Sequence, residues 1–177
     1  MELETLRKQL LSKRTSLTAE QVKEKSLLMT EDVISSPLYQ ENDIIYLYIP
    51  SNNELDTNYL ITKALQDGKT VALPYVMSSF DMVFIKINDE PSLKKNRYGI
   101  LEPYYNPKNV IDGKGLMIVP IVGFKGLKRV GFGHQYYNNY LLNRNHIYTL
   151  GVAYDFQEIK EDVFTEHDIP LSEIRTY

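Results

Sequence analysis

The stretch Ile118–Leu141, IVPIVGFKGLKRVGFGHQYYNNYL, carries the pattern that decides the fold. It starts inside an apolar run, Leu116–Val122, that is typical of a buried strand, and Gln135–Arg144 has the apolar spacing of a short helix. The loop between them contains four glycines: Gly123, Gly126, Gly131 and Gly133. A strand, a glycine loop and a helix start in this order can bind phosphate, because N–H groups at a helix start attract anions and glycine lets the backbone approach them.

Pattern alone leaves two interpretations of this glycine loop open. The loop matches neither of the common phosphate-binding patterns, G-x-x-x-x-G-K-S/T and G-x-G-x-x-G. Lys128 and Arg129 add positive charge beside it. A glycine turn that only packs two elements together explains the pattern as well as a nucleotide site does.

Outside this stretch, apolar strands alternate with helices. Further strands are predicted at Asp43–Ile49, Thr70–Pro74, Met82–Ile87 and Tyr148–Ala153. Helices are predicted around Leu3–Leu11, at Ala19–Ser35, which Pro37 follows as a stop, and at Thr57–Gln66. Tyr98–Lys108 is predicted to be a loop. This alternation predicts an α/β fold, a single domain over residues 1–177 with a mostly parallel central sheet flanked by helices on both faces.

Ligands of such sheets bind beyond the carboxyl ends of the strands. Pro50–Glu54 and Gly123–Gly133 both follow predicted strands, so the two loops can share one crevice. From the residues alone, Glu54 has two possible roles: its carboxylate can accept a hydrogen bond from a ligand, or it can cap the helix that follows.

Composition excludes several classes of function. A net charge of −3 provides no basic surface for nucleic acid. The absence of cysteine excludes disulfides and thiolate catalysis, and the three histidines are too scattered for a zinc motif. No apolar run approaches the ~20 residues of a membrane helix, and the charged N-terminus is not a signal peptide. We therefore expect a cytoplasmic protein without a membrane or nucleic-acid partner.

The quoted stretch resembles the signature of the 5-formyltetrahydrofolate cyclo-ligase family, also called methenyltetrahydrofolate synthetases. The residues that fall on this signature are Pro120, Phe124, Arg129, Gly131, Phe132, Gly133, Tyr136 and Tyr137. Other blocks agree in order and approximate spacing: Arg7 and Arg14, Asn53–Thr57, Gly99–Pro103, Gly151–Gln157 and His167–Leu171. The resemblance covers nearly the whole chain.

The resemblance implies an ATP-dependent ligase that converts 5-formyltetrahydrofolate to 5,10-methenyltetrahydrofolate and releases ADP and phosphate. It implies ATP and Mg²⁺ as cofactors, a small-molecule folate as the substrate, and a monomer. The residues implied as catalytic are Arg129 and Tyr137, those implied to bind the substrate are Ile49 and Glu54, and those implied to hold the metal are Asn138 and Asp168. The residues implied to bind ATP are Leu3, Glu4, Thr5, Leu6, Arg7, Arg129, Val130, Gly131, Phe132, Gly133, His134, Gln135, Tyr136 and Tyr137.

The chain departs from the family pattern at four positions. Leu3 and Lys125 stand where the family has Lys and Asp, and Gln135 and Asn138 stand where it has Gly and Asp. If the backbone at Gln135 has a positive φ, a non-glycine residue there costs on the order of 1 kcal/mol. Asn138 lacks the formal charge that Mg²⁺ prefers, so we expect weaker Mg·ATP binding. The alternative function is therefore a diverged, weakly active or non-catalytic relative that binds folate or a nucleotide.

Overall fold

A central sheet with helices on both faces organises the computed structural model, which describes all residues from 1 to 177. The α-helices are α1 (Leu3–Thr15), α2 (Ala19–Ile34), α3 (Pro37–Glu41), α4 (Asn58–Gln66) and α5 (Tyr136–Leu141). The strands are β1 (Ile44–Tyr46), β2 (Thr70–Val76), β3 (Met82–Lys86), β4 (Leu93–Lys95), β5 (Leu101–Pro103), β6 (Val110–Ile111), β7 (Gly115–Pro120), β8 (Gly123–Lys125), β9 (Lys128–Val130), β10 (Ile147–Ala153) and β11 (Glu173–Thr176). The longest helix, α2, has 16 residues, and no helix has the length and hydropathy of a membrane span.

Seven strands form the main sheet in the order β11-β10-β7-β1-β2-β3-β6. The first five are parallel, and β3 and β6 each pair antiparallel with the preceding strand in that order. The remaining strands form two separate hairpins, β4–β5 and β8–β9. The expected α/β fold with a mostly parallel sheet is confirmed, and β1 lies at its centre with β2 and β7 on either side.

Alternating side chains of the central strands pack on opposite faces of the sheet, as the two-residue period of a strand requires. Ile45 of β1 is buried in a cluster with Met29 of α2 and Leu60 of α4. Its neighbour Tyr46 is buried in a second cluster with Tyr140 of α5. Helices therefore cover both faces, which explains why the strands have no polar alternation in the sequence.

Helix α1 packs outside these two layers, beside the exit of β7 and the β8–β9 hairpin. Leu6 and Leu10 share a third apolar cluster with Val122 and Val130. The helix approaches the backbone so closely that a Cβ at Gly123 would lie 2.6 Å from the Leu10 Cδ1 atom. This packing places the polar face of α1 against the loops that follow β1 and β7.

Several element boundaries differ from the sequence prediction. The strand predicted at Asp43–Ile49 is regular only over Ile44–Tyr46, because the chain then leaves the sheet toward a turn. The predicted loop Tyr98–Lys108 was wrong in part, because Leu101–Pro103 pairs with β4 as an edge strand, where proline is tolerated. The strand β11 was not predicted, since its four residues Glu173–Thr176 are mostly polar.

The helix predictions were closer to the structure. A capping box between Thr18 and Gln21 opens α2, as the sequence predicts. The helix ends at Ile34, and Pro37 then occupies the first turn of the short α3, a position where its missing N–H is not needed. The last predicted helix is shorter than expected and ends at Leu141.

Candidate functional site

A cavity of about 310 Å³ opens at the carboxyl edge of the sheet. It is bounded by the segment after β1, the ends of β2 and β7, the glycine loop, and the tip of the β4–β5 hairpin. Both Ser51–Glu54 and Arg129–Gln135 contribute lining residues. The expectation that the two loops share one crevice is therefore confirmed, and the cavity lies where open α/β sheets bind ligands.

Most of the residues predicted for the site line this cavity. They are Leu3, Arg7, Ile49, Glu54, Arg129, Val130, Gly131, Phe132, Gly133, His134, Gln135, Tyr136, Tyr137, Asn138 and Asp168. Glu4, Thr5 and Leu6 do not line it. The side chain of Leu6 is buried in the apolar cluster under α1, and Glu4 forms an ion pair with Arg7.

Glu54 presents a buried carboxylate to the cavity, with only 7% of the residue exposed. Its Oε1 accepts hydrogen bonds from the backbone N–H of Ser51 at 2.8 Å and from the Ser51 hydroxyl at 3.0 Å. Oε2 accepts none from the protein, which leaves it available to a ligand. Burial raises the pKa of this carboxyl, and the charge of Arg14 and the Ser51 hydrogen bonds partly oppose the shift.

The helix-capping role that the sequence left open for Glu54 is not observed. The Glu54 side chain turns back to Ser51, away from the first turn of α4. Asp56 instead accepts a hydrogen bond from the N–H of Asn58 at 2.8 Å. The Glu54 carboxylate thus has no role in starting the helix.

The turn that presents Glu54 is conformationally unusual. Asn52 and Asn53 have φ angles of 49° and 59°, in the left-handed region, which asparagine tolerates better than most residues. The Asn53 amide donates to the carbonyl of Arg14 in the last turn of α1 at 3.1 Å, and to that of Leu17 just beyond the helix at 3.0 Å. The hydroxyl of Tyr154 donates to the Asn53 carbonyl at 2.9 Å. Together, these hydrogen bonds hold the turn in place, so its strained backbone conformation can persist beside the cavity.

Arg129 is half-buried and lines the same cavity. Its Nε donates to the carbonyl of Pro120 at 2.8 Å, and its guanidinium lies 5.0 Å from the centre of the Tyr137 ring. Burial lowers the pKa of the guanidinium, and Tyr137 and Glu54 oppose the shift. Because an arginine keeps its proton in proteins, the cavity contains a fixed positive charge.

Gly131 makes room for this arginine. A Cβ at Gly131 would lie 2.6 Å from the Arg129 Nη2 atom, so any other residue would displace the guanidinium. The carbonyl of Gly131 accepts a hydrogen bond from Arg7 Nε at 2.7 Å. Arg7 therefore fixes the glycine loop from the side of α1, and its side chain is only 12% exposed.

The tyrosine pair after the loop divides between two environments. Burial raises the pKa of Tyr137, so this hydroxyl stays protonated at neutral pH and can donate to a ligand. The hydroxyl of Tyr136 donates to the carbonyl of Ser78 at 2.9 Å and lies 2.8 Å from the Tyr98 hydroxyl. Tyr98 also packs on His134, with 4.5 Å between ring centres. Tyr136 thus connects the start of α5 to the hairpin that forms the opposite wall.

Gln135 adopts the left-handed conformation that the family's glycine suggested, with φ 61° and ψ 14°. Its Oε1 accepts a hydrogen bond from the Asn138 amide at 2.7 Å. The backbone strain expected from the sequence is therefore present in the structure, and the side chain gains one contact that glycine would lack.

Asn138 and Asp168, the two residues predicted to hold the metal, are in direct contact. Asn138 Nδ2 donates to Asp168 Oδ1 at 3.1 Å, and Asn138 Oδ1 accepts from the N–H of Ile169 at 3.0 Å. The chain contains no group of three or more carboxylate, His or Cys side chains that could hold a metal ion. One carboxylate and one amide oxygen fit an Mg²⁺ ion only when phosphate oxygens and water supply the remaining ligands, which is how Mg²⁺ usually binds with nucleotides.

The contributors to the site that were not among the predicted site residues include the tip of the β4–β5 hairpin and Arg14. The hairpin tip places Tyr98 and Ile100 on the cavity wall, and no pattern in that segment predicts a wall. Arg14 lies just beneath the cavity and is only 1% exposed. Its spacing of seven residues from Arg7, which puts both on one face of α1, is the signal that could have identified it.

Comparison with known proteins gives a consistent result. The model of the 5-formyltetrahydrofolate cyclo-ligase family matches residues 2–177. A 5-formyltetrahydrofolate cyclo-ligase from Haemophilus influenzae is 29% identical over 169 residues, which cover 91% of this chain and 90% of that protein. The Escherichia coli K12 protein of the same name is 29% identical over 171 residues, which cover 93% of this chain and 94% of that protein.

Two solved structures are similar to the whole chain. The 5,10-methenyltetrahydrofolate synthetase from Aquifex aeolicus superposes with a TM-score of 0.84 at 28% identity and covers 99% of this chain and 90% of that chain. The synthetase from Mycoplasma pneumoniae superposes with a TM-score of 0.75 over 98% of both chains. Its 24% identity supports a shared fold alone.

Proposed function

Because the chain belongs to the 5-formyltetrahydrofolate cyclo-ligase family, we propose that it converts 5-formyltetrahydrofolate and ATP to 5,10-methenyltetrahydrofolate, ADP and phosphate. The observation that carries this proposal is the pairing of Glu54 and Arg129 in one cavity. A buried carboxylate with one free oxygen and a fixed guanidinium suit a substrate with N–H donors and a co-substrate with phosphates.

The folate ring system is assigned to the side of the cavity formed by the segment after β1 and by the paired ends of β2 and β3. Ile49, Val76 and Met82 give this side an apolar surface for a flat ring. Glu54 Oε2 accepts hydrogen bonds from the ring N–H groups, because Oε1 is already held by Ser51. Few polar groups on an apolar wall fix the orientation of a ligand in this way.

The phosphates are assigned to the glycine loop. Arg7 and Arg129 enter this region from α1 and β9, and both are anchored to backbone carbonyls through Nε. Because each side chain is held at Nε, its terminal nitrogens have less freedom to lose when a phosphate binds, and the entropy cost of binding is smaller. Gly131 and Gly133 allow the backbone to approach the phosphates closely.

In the reaction, the formyl oxygen attacks the γ-phosphorus of ATP, the bond to the β-phosphate oxygen breaks, and ADP leaves. N10 of the folate then attacks the activated formyl carbon and closes the ring. N10 loses its proton, the bond between the formyl carbon and its oxygen breaks, and the oxygen leaves with the phosphate. Arg129 stabilises the negative charge that spreads over the transferred phosphoryl oxygens. Tyr137 stays protonated and donates to an oxygen beside it, and Glu54 keeps the folate oriented.

Asp168 and Asn138 are the residues that would hold Mg²⁺, together with phosphate oxygens. When bound, Mg²⁺ supplies further charge neutralisation to the phosphates. We further propose, from the family resemblance, that the protein acts as a monomer in the cytoplasm without nucleic-acid or membrane partners. A measured mass of 20.6 kDa in solution would support the monomer, and twice that mass would contradict it.

A second candidate function is a binding protein without catalysis. The observation that favours it is the hydrogen bond between Asn138 and Asp168, because it satisfies both side chains without a metal. Such a protein would bind 5-formyltetrahydrofolate and release it unchanged.

One experiment distinguishes the two functions. Purified protein is mixed with 5-formyltetrahydrofolate and excess Mg·ATP, and the near-ultraviolet absorbance of the methenyl product is followed. The proposal predicts ATP-dependent product formation that Glu54→Gln and Arg129→Met each reduce strongly. Binding of 5-formyltetrahydrofolate without product would support the second candidate instead.

A further inference from the structure

Arg14 has the lowest exposure of all charged side chains in the protein, at 1%, and the proposed reaction does not use it. It does not line the cavity. A buried guanidinium loses its hydration, and this loss costs several kcal/mol unless the protein returns hydrogen bonds and an opposite charge. The contacts of Arg14 therefore indicate what it contributes.

Arg14 joins three segments that form the cavity. Its Nε donates to the carbonyl of Asn52 at 2.9 Å, in the turn that presents Glu54. Its Nη1 donates to the carbonyl of Ile121 at 3.2 Å, directly after β7. Its guanidinium carbon lies 5.6 Å from the centre of the Phe132 ring, in the glycine loop. One buried side chain thus contacts both the Glu54 turn and the phosphate side of the cavity.

The third terminal nitrogen of Arg14, Nη2, is buried and has no hydrogen-bond partner. Hydrogen bonds therefore compensate the positive charge of Arg14 only in part. This charge interacts electrostatically with the Glu54 carboxylate in the adjacent turn. Burial raises the pKa of Glu54, and the positive charges of Arg14 and Arg129 oppose this rise. Three tyrosine hydroxyls also face this carboxylate, those of Tyr48, Tyr137 and Tyr154. Burial lowers the pKa of Arg14, and the negative charge of Glu54 opposes that shift. Each group is thus the electrostatic partner of the other.

The Glu54 turn depends on Arg14 more than the glycine loop does. Arg14 and the carbonyls that bind the Asn53 amide both lie at the end of α1. The glycine loop has separate anchors, from Arg7 to the Gly131 carbonyl and from Arg129 to the carbonyl that ends β7. Loss of Arg14 should therefore loosen the Glu54 turn first.

We propose that Arg14 is a positioning residue for the folate side of the cavity. From beneath the cavity, it holds the Asn52–Glu54 turn against the exit of β7, and it places a buried positive charge near the Glu54 carboxylate. The inference rests on the proposed function only in taking folate as the ligand. The ionisation of Glu54 can be measured in the protein without any ligand.

The first test follows the carboxyl carbon of Glu54 by NMR in protein labelled with ¹³C-glutamate, with Glu54→Gln to assign the signal. In Arg14→Met, the titration midpoint of Glu54 is expected to move upward by about one pH unit or more, as loss of a nearby opposite charge requires. Arg14→Gln, which keeps amide donors without the charge, serves if Arg14→Met does not fold. An unchanged midpoint in the neutral variant would overturn the proposal.

The second test uses steady-state kinetics, with Lys13→Met as the matched control on the exposed face of α1. Arg14→Met is expected to raise KM for 5-formyltetrahydrofolate by about tenfold, as for one lost charge-assisted hydrogen bond, with a smaller change in KM for ATP. Arg14→Lys, which keeps the charge, should recover part of this loss. Equal increases in both KM values, or no recovery by lysine, would indicate a merely structural role and contradict the proposal.

The two tests separate failure of this inference from failure of the proposed function. If the parent protein forms no product but the Glu54 titration moves as expected, Arg14 positions Glu54 and the reaction has been misassigned. If product forms and the titration does not move, the reaction stands and the role of Arg14 is wrong.

Discussion

The side-chain amide of Asn138 donates a hydrogen bond to the carboxylate of Asp168, with 3.1 Å between Nδ2 and Oδ1. Two aspartates at these positions would repel each other until a cation arrived, whereas this pair is stable without one. The Asn138 amide also donates to Gln135 Oε1 at 2.7 Å. Asn138 therefore connects Asp168, the other residue proposed to hold the metal, to the strained start of α5.

Asn138→Asp should therefore make folding stability depend on Mg²⁺. The variant loses two N–H donors and gains a like charge beside Asp168, so its free energy of unfolding in EDTA should fall by about 1–2 kcal/mol. Millimolar Mg²⁺ should recover part of the loss and should hardly affect the parent. Urea unfolding with and without Mg²⁺ measures this, with Asn139→Asp as the neighbouring control. Equal responses of the two variants to Mg²⁺ would contradict the assignment of the metal site.

The backbone strain at Gln135 can be isolated by comparing two substitutions. Gln135→Ala and Gln135→Gly both remove the hydrogen bond to Asn138, but only glycine relieves the left-handed conformation. The glycine variant should therefore be more stable than the alanine variant by about 1 kcal/mol. Urea unfolding of both proteins gives this difference directly, and an alanine variant as stable as the glycine variant would show that φ at this position is negative in solution.

Arg129→Met should remove most of the activity. If the guanidinium stabilises charge on the transferred phosphoryl group, its loss should lower kcat by at least about 10²-fold. Lys128→Met is the matched control, because Lys128 is adjacent and donates only to the Thr165 carbonyl at the surface. The initial rate of product formation under saturating substrates tests this. Comparable losses in the two variants would show that general positive charge, rather than the position of Arg129, matters.

Glu54 should reduce the stability of the protein at neutral pH. Burial raises the pKa of its carboxyl above the ordinary value of 4.5, so the folded chain binds this proton more tightly than the unfolded chain. The protonated carboxyl favours folding fully below the unfolded pKa. This stability is lost as the pH rises through the folded pKa, because the buried carboxyl must then ionise. Glu54→Gln cannot ionise, so it should be more stable than the parent at pH 7, while its activity falls.

Denaturant unfolding of Glu54→Gln and of the parent at about pH 7 and about pH 4 measures this effect, since glutamate ordinarily titrates near the lower value. The advantage of the variant should shrink at the lower pH. Glu24→Gln, at an exposed position on α2, should show no such pH dependence. A parent more stable than Glu54→Gln at pH 7 would mean that the carboxylate stabilises the fold.

Much of the fold could be predicted because its strands are buried on both faces and therefore read as apolar runs. The run that ends at Val122 and the capping box at Thr18 are local signals, and the structure follows both. The hairpins β4–β5 and β8–β9 could not be predicted this way, because each strand has only three residues and its pairing depends on the partner. Short edge strands have weak patterns for this reason.

The candidate site was predictable to the extent that its residues follow strands or belong to the glycine loop. Arg129 and Glu54 are far apart in the sequence, and only the parallel order of β1 and β7 brings their loops together. Arg14 was missed as a site residue because its function depends on burial, which a basic helix does not indicate. Tyr98 was missed because the neighbouring family block, Gly99–Pro103, does not indicate that this hairpin folds against the cavity.

The most direct test of the proposed function is the stoichiometry of the reaction in the parent protein. Methenyl product and ADP are measured together after incubation with 5-formyltetrahydrofolate and Mg·ATP, and again without ATP. We expect equal amounts of ADP and methenyl product, and no product without ATP. Hydrolysis of ATP without methenyl formation, or 5-formyltetrahydrofolate left unchanged by the protein with ATP present, would contradict the proposed function.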